Sequence, residues 1–246
     1  MVGIITAADT AYFPGLYMLI RSLRYQSWPV CIFDLGLTRS QRNWCFDQGY
    51  EVRPGEYRLI SPPTPMFRCW NKATYFQDSP FERSLWLDAD CIAVNSLTPL
   101  LNWLAAKPLF IKHWSTSYQS PNDPRLYDAA ALARPEPFIN NGVMGLDKVR
   151  DAHILAAWVD CIERCRDDTI RSYLHWSDES AMIWALRSMA EPPGLCPYLQ
   201  WNQFRHGIGS DGPDDLLIKL NPDQDDIVMH AAGNPKYWQI WGPLSY

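Results

Sequence analysis

Ser84-Leu85-Trp86-Leu87-Asp88-Ala89-Asp90-Cys91-Ile92-Ala93-Val94-Asn95 is the stretch around which the chain is organised. An apolar run, Leu85 to Leu87, stops at two carboxylates, Asp88 and Asp90, and apolar residues resume at Ile92. A short apolar run bounded by polar residues predicts a buried strand of an α/β sheet. Ligands of such sheets bind beyond the carboxyl ends of the strands, where Asp88 and Asp90 would stand. Side chains alternate along an extended chain, so Asp-x-Asp predicts both carboxylates on one side. Like charges that close repel unless a cation lies between them. Carboxylate oxygens suit magnesium, calcium or manganese. The plainer reading of Asp-Ala-Asp is a solvated loop with a helix cap or an Asx turn.

Working back from this strand, residues 2–6 predict a first buried strand, broken by Ala7-Ala8-Asp9-Thr10. Leu16, Leu19, Ile20 and Leu23 follow helical spacing and predict a helix over 12–25. This strand, loop and helix is how a nucleotide-binding α/β unit begins. The loop has no Gly-x-Gly-x-x-Gly, so neither a dinucleotide fold nor a P-loop is indicated. Asp9 reads as a cap for that helix or a ligand for a base or ribose. A second strand is expected over 30–35, a helix over 40–48 and a third strand over 50–53. Residues 55–65 hold a proline cluster and read as loop. Residues 67–76 predict a helix carrying Lys72, and a lone lysine on a helix ordinarily sits on a solvated face.

Working forward, a helix is expected over 97–106 with Pro99 in its first turn, then a strand over 109–111. Residues 112–137 are poorly periodic and long enough for a functional lid or binding loop. Residues 138–146, with Asn140-Asn141-Gly142, predict a strand whose glycine lets something approach the backbone. Ile154, Trp158, Cys161, Ile162 and Cys165 mark a helix, with both cysteines read as packing. Ser177 is expected to cap a further helix buried through Met182, Ala185, Leu186 and Met189. A last short strand over 227–229 ends at His230, followed by Gly233, Lys236 and Trp238. No internal repeat or dividing linker is visible.

The 246 residues suffice for one large α/β domain. Hydrophobic residues at 47% and charged residues at 20% describe a globular chain rather than a disordered one. A formal net charge of −5 without a dense Lys/Arg cluster argues against nucleic acid as a partner. The amino end has no basic leader, and no apolar run reaches the length of a membrane span. Seven scattered cysteines, an odd number without Cys-x-x-Cys, read as reduced core thiols of a cytoplasmic protein and not as a zinc site. Twelve Trp and twelve Tyr are a high count; most read as core, and exposed aromatics at a site can stack on bases or sugar faces.

Several of these pieces stand in the order of one family. Residues 5–9 (Ile-Thr-Ala-Ala-Asp), Leu85-Trp86-Leu87-Asp88-Ala89-Asp90, Asn140-Asn141-Gly142, Asp178-Glu179 and His230-x-x-Gly233-x-x-Lys236-x-Trp238 span nearly the whole chain. Together they resemble the metal-dependent, nucleotide-sugar glycosyltransferases of the glycosyltransferase-A fold, and most of all the galactosyl- and glucosyltransferases of glycosyltransferase family 8. The resemblance implies an α/β fold: one domain over 1–246, with a mixed central sheet. It has a Rossmann-like nucleotide-binding half over 1–95 and a half over 96–246 that completes the metal and acceptor sites. It implies that Ala7, Ala8 and Asp9 hold the uracil and ribose of a UDP-sugar. Asp88, Asp90 and His230 would ligate manganese or magnesium. Gly233 and Lys236 would bind the diphosphate, and Lys72 would face the donor. Asn140, Asn141 and Asp178 would bracket the transferred hexose, with Asp178 and Glu179 as the catalytic carboxylates. The acceptor would be a saccharide or glycoconjugate. Three departures stand out: Glu179 where relatives often have Gln, Ala231 where an aromatic usually follows the histidine, and no basic aromatic tail before Tyr246.

Elementary chemistry fits these roles. A departing diphosphate gains negative charge, which a cation held by carboxylates and an imidazole, helped by Lys236, would neutralise. Imidazole beside carboxylates favours manganese over calcium. An oxocarbenium-like sugar is stabilised by a carboxylate near its anomeric centre, Asp178 or Glu179. Retention of configuration is expected. The plainer account of Asp178 and Glu179 is that acidic residues in a first turn complement the helix dipole. For His230 it is a satisfied core histidine. His113, His153, His175 and His206 have no comparable context. Two other functions compete: Leu87-Asp88-Ala89-Asp90-Cys91-Ile92 approximates the motif of magnesium-dependent haloacid-dehalogenase phosphatases, and the aromatic content would suit a non-catalytic sugar-binding module.

Overall fold

The computed structural model describes residues 1–56, 70–112, 139–164, 166, 178–204, 214–216, 222–231, 236 and 238, without the side chains of Ser180 and Phe204. Its strands and helices alternate through β1 (Val2–Ala8), α1 (Phe13–Leu23), β2 (Val30–Asp34), α2 (Arg39–Asp47), β3 (Glu51–Pro54), α3 (Lys72–Asp78) and β4 (Arg83–Leu87). There follow β5 (Cys91–Ala93), α4 (Thr98–Ala106), β6 (Leu109–Lys112), β7 (Ile139–Asp147), α5 (Ala152–Arg164) and α6 (Asp178–Ser188). A 3-10 turn (Leu199–Asn202), β8 (Gln203–Phe204) and β9 (Val228–His230) complete the order.

Among the described residues the strands form a six-stranded mixed sheet, ordered β3-β2-β1-β4-β7-β6. β3, β2, β1 and β4 run parallel. β7 pairs antiparallel with β4, and β6 antiparallel with β7. The parallel part is what strand–helix–strand alternation at the amino end dictates. Alternate side chains fill opposite faces. Ile5, Phe33, Trp86 and Met144 join the core built with Tyr75, Trp158 and Trp184. Ile4, Ile32, Leu85 and Val143 join the other, with Leu16, Leu19 and Leu104. Burial on both faces explains why these strands read as continuous apolar runs. A smaller sheet, β5-β9-β8, lies beyond the end of β4.

The mixed α/β architecture and its Rossmann-like amino-terminal half are as the sequence predicts. Some boundaries differ. β1 continues through Ala7 and Ala8, because both residues remain in register with β2, Ala8 opposite Asp34. α3 starts at Lys72, after a short turn at Trp70 and Asn71. Lys72 is not solvated: it is 4% exposed. The five described cysteines are buried, in keeping with packing roles. Ser177, Cys69, Cys165, Gly233 and the loop expected over 112–137, apart from Lys112 at the end of β6, lie outside the described residues. Among the described residues no helix is long and apolar enough to cross a membrane.

Candidate active site

The carboxyl end of β4 delivers Asp88, and the chain then turns rather than continuing as a strand. The Cys91 N–H donates to the Asp88 carbonyl at 2.9 Å, closing a tight turn through Ala89 and Asp90. Asp88 and Asp90 are therefore related by a turn, not by the alternation of an extended strand. β5 leaves this turn and pairs antiparallel with β9, with Cys91 opposite His230. The Ala231 N–H donates to the Asp90 carbonyl at 3.0 Å. This pairing sets His230 Nε2 3.3 Å from Asp90 Oδ1 and 3.9 Å from Asp88 Oδ2. Lys236 Nζ donates to the other Asp90 oxygen, Oδ2.

Two glycines make this assembly possible. A Cβ on Gly142 would fall on Cε1 and Nδ1 of His230. A Cβ on Gly15 would come within 2.7 Å of the Ala89 carbonyl oxygen and 2.8 Å of Trp238. α1 and β7 can thus press against the turn and its histidine only because both positions lack side chains.

Charges in the site are paired. Burial would raise the Asp90 pKa, but His230 and Lys236 outweigh it and hold the carboxyl well below the usual range. Burial would lower the Lys236 pKa, but Asp90 raises it above the ordinary lysine value. Cys91 Sγ lies in the same group of potential ligands as Asp90 and His230. Burial, with Asp90 and Asp88 adding to it, drives the Cys91 thiol well above its ordinary pKa, so it stays a neutral thiol that faces the Gly142 carbonyl at 3.5 Å. Asp90 and His230 are the ligand types for manganese or magnesium, and Asp88 Oδ2 faces the same imidazole. Asp90 and His230 fit such an ion; the ligand atoms that lie within 4.8 Å of one another among the described residues belong to Asp90, Cys91 and His230, with Asp88 just outside that group.

A second cluster adjoins the first through Lys72. Its ammonium lies 2.8 Å from Asp88 Oδ1 and 3.2 Å from Asp178 Oδ2, and it donates to the Asn141 carbonyl at 3.3 Å. Asp178 and Glu179 occupy the first turn of α6. Asn141 Nδ2 donates to Asp178 Oδ2 at 3.3 Å, and Asn140 Nδ2 to Glu179 Oε2 at 2.7 Å. Asn140 Oδ1 accepts from the Gly142 N–H at 2.8 Å and from Asn202 Nδ2 at 3.0 Å, which fixes its amide orientation. The dipole account of Asp178 and Glu179 is therefore incomplete, because both are buried in a polar network with β7.

At the amino-terminal side, Asp9 Oδ1 accepts from the Tyr12 N–H at 2.9 Å and so caps the turn ahead of α1. Tyr12 is 43% exposed, and its ring meets Trp238 edge-on at 5.6 Å. Lys236 Nζ stands 5.7 Å from the Tyr12 ring centre and 5.9 Å from that of Trp238. Sequence reading passed over Tyr12, although its position three residues after Asp9 was a signal. It also passed over Asn202, for which the sequence held none. Of the residues singled out from the sequence, the structure gathers Asp88, Asp90, His230 and Lys236 into one cluster. Lys72, Asn140, Asn141, Asp178 and Glu179 form the adjoining one, and Ala7, Ala8 and Asp9 end β1 and begin the loop after it.

No protein-family model and no curated protein matches the sequence. Solved structures match the fold. An active-site mutant of LgtC aligns with TM-score 0.60 and 17% identity, over 97% of this chain and 90% of that one. Galactosyltransferase LgtC in complex with donor and acceptor sugar analogues aligns with TM-score 0.58 at the same identity and coverage. Apo mouse xyloside xylosyltransferase 1 aligns with TM-score 0.60 and 11% identity, over 96% of this chain and 98% of that one. The apo bifunctional glycosyltransferase WbbM gives 0.61 and 13% over 96% of this chain and 46% of that one. The six-stranded mixed sheet and these alignments give the chain the glycosyltransferase-A fold.

Proposed function

We propose that the chain is a divalent-metal-dependent hexosyltransferase that moves a hexose from a UDP-sugar to a saccharide or glycoconjugate acceptor, with retention. The observation that carries this reading is the convergence of Asp88, Asp90 and His230 beside Lys236 at the carboxyl end of β4. A manganese or magnesium ion held by those three residues would supply charge stabilisation for the departing diphosphate.

The chain's own residues supply the rest. Lys236, fully charged at neutral pH, adds positive charge beside the diphosphate. Asp9 and the exposed ring of Tyr12 form the rim on which the uridine rests, with Ala7 and Ala8 offering backbone rather than bulk. Gly233 belongs to the diphosphate loop by the sequence resemblance. Lys72, Asn140, Asn141, Asp178 and Glu179 line the hexose subsite. Asn141 Oδ1 and Asn202 Oδ1 are buried and accept no hydrogen bond among the described residues. Buried acceptors of that kind call for donors, and a hexose carries hydroxyl groups to serve them. Asp178 or Glu179 steadies the positive charge that grows on the sugar ring.

LgtC, one of the structural neighbours, has been crystallised with donor and acceptor sugar analogues, which agrees with a sugar-transfer reading. The test is nucleotide release from a panel of UDP-, GDP- and CDP-sugars with manganese, with p-nitrophenyl phosphate as the phosphatase control. Release of UDP from one UDP-hexose is expected. Hydrolysis of p-nitrophenyl phosphate without any nucleotide release would contradict the proposal, as would preference for a GDP-sugar.

A further inference from the structure

Trp86 is the penultimate residue of β4 and is 2% exposed. Its ring is packed by Tyr75, stacked at 6.0 Å with planes 12° apart, and by Phe76 at 6.3 Å. Packing alone does not require an indole, since a phenyl ring fills such a site. An indole adds one feature, a single N–H donor that must find an acceptor when buried. That donor lies 2.7 Å from Asp88 Oδ1. Residues two apart on a strand share a face, so β4 itself aims the indole at the carboxylate that follows it.

The same oxygen also receives Lys72 Nζ at 2.8 Å, while that ammonium stands 5.3 Å from the centre of the Trp86 ring. Oδ1 therefore holds two short donor contacts, and the carboxylate cannot rotate without breaking both. Its other oxygen, Oδ2, is left facing His230 Nε2 at 3.9 Å. We infer that Trp86 is a positioning residue for the metal centre: its indole N–H locks the Asp88 carboxylate so that Oδ2 faces the ion shared with Asp90 and His230. The inference rests on the metal-centre reading proposed above. Partners that orient a ligating carboxylate affect metal affinity without touching the ion.

The test is Mn2+ binding followed by loss of the free-ion electron paramagnetic resonance signal, with thermal unfolding measured on the same samples. Trp86→Phe keeps an aromatic ring and removes the N–H. Its Mn2+ affinity is expected to fall about 10- to 100-fold. A purely structural role would move the unfolding temperature and leave the Kd of the folded protein unchanged. Mn2+ affinity within about twofold of wild type in folded Trp86→Phe would overturn the inference while leaving the metal centre standing. Failure of the wild-type protein to bind Mn2+ would overturn both. Should Trp86→Phe not fold, Trp86→Met, which carries no hydrogen-bond donor, holds the same expectation.

Discussion

The imidazole of His230 occupies the volume that a side chain on residue 142 would take: a Cβ on Gly142 would land on its Cε1 and Nδ1 atoms. The glycine of β7 and the histidine of β9 are thus two halves of one fit. Gly142→Ala is expected to push the imidazole off Asp90. Overpacking of this kind costs about 1–3 kcal/mol, and Mn2+ binding should weaken more than stability does. Denaturant unfolding together with Mn2+ titration checks it, and unchanged values in both would contradict the fit.

Lys72, itself buried, is the cation between the buried carboxylate of Asp178 and the half-buried one of Asp88. Lys72→Met leaves them facing each other without it. Removing one partner of a buried ionic cluster costs roughly 3–5 kcal/mol, so the variant should be strongly destabilised without metal. Added Mn2+ should restore part of the loss, because it binds only the folded arrangement. A denaturation midpoint equal to wild type would show that Lys72 plays no such part.

Much of this site was legible in the sequence, and the misses have physical causes. An apolar run ending in Asp88 and Asp90 marks a sheet edge from local pattern alone. Strand alternation does not relate Asp88 to Asp90, because a turn closed by the Asp88 carbonyl stands between them. Lys72 reads as solvated because its partners come from other segments: Asp88 from the turn after β4, Asp178 from α6 and the Asn141 carbonyl from β7. The register that sets Cys91 opposite His230 depends on a pairing between distant residues that no local pattern encodes. Asn202 reaches Asn140 through a 3-10 turn with no periodic signature.

Glu179 accepts from Asn140 through Oε2. Glu179→Gln keeps the shape and removes the charge. If the carboxylate steadies the cationic sugar, kcat should fall on the order of 100-fold with little change in KM or in unfolding temperature. A fall in KM-determined affinity at constant kcat would assign the residue to uniform donor binding instead.

Stability should decline in acid through Asp34 and Asp147. Burial would raise both carboxyls, but Arg42 with the Leu37 and Gly36 N–H groups lowers Asp34, and the Arg150 and Val149 N–H groups lower Asp147. Both folded-state values lie below the ordinary 3.8. Their contribution is therefore fully present above that value and is lost as pH falls through the folded-state values. Thermal unfolding between pH 6 and pH 2 should show a downward slope at the acid end, and it should be shallower in Asp34→Asn. Identical slopes in the two proteins would rule this out.

The central claim is that Asp88, Asp90 and His230 hold a divalent ion through which this fold recognises a nucleoside diphosphate. Isothermal titration of UDP into the protein, with Mn2+ and then with excess EDTA, tests it most directly. The account predicts UDP binding at least about tenfold tighter with Mn2+, a difference of about 1.4 kcal/mol, and loss of that gain in His230→Ala. Equal UDP affinity with Mn2+ and with EDTA would contradict it.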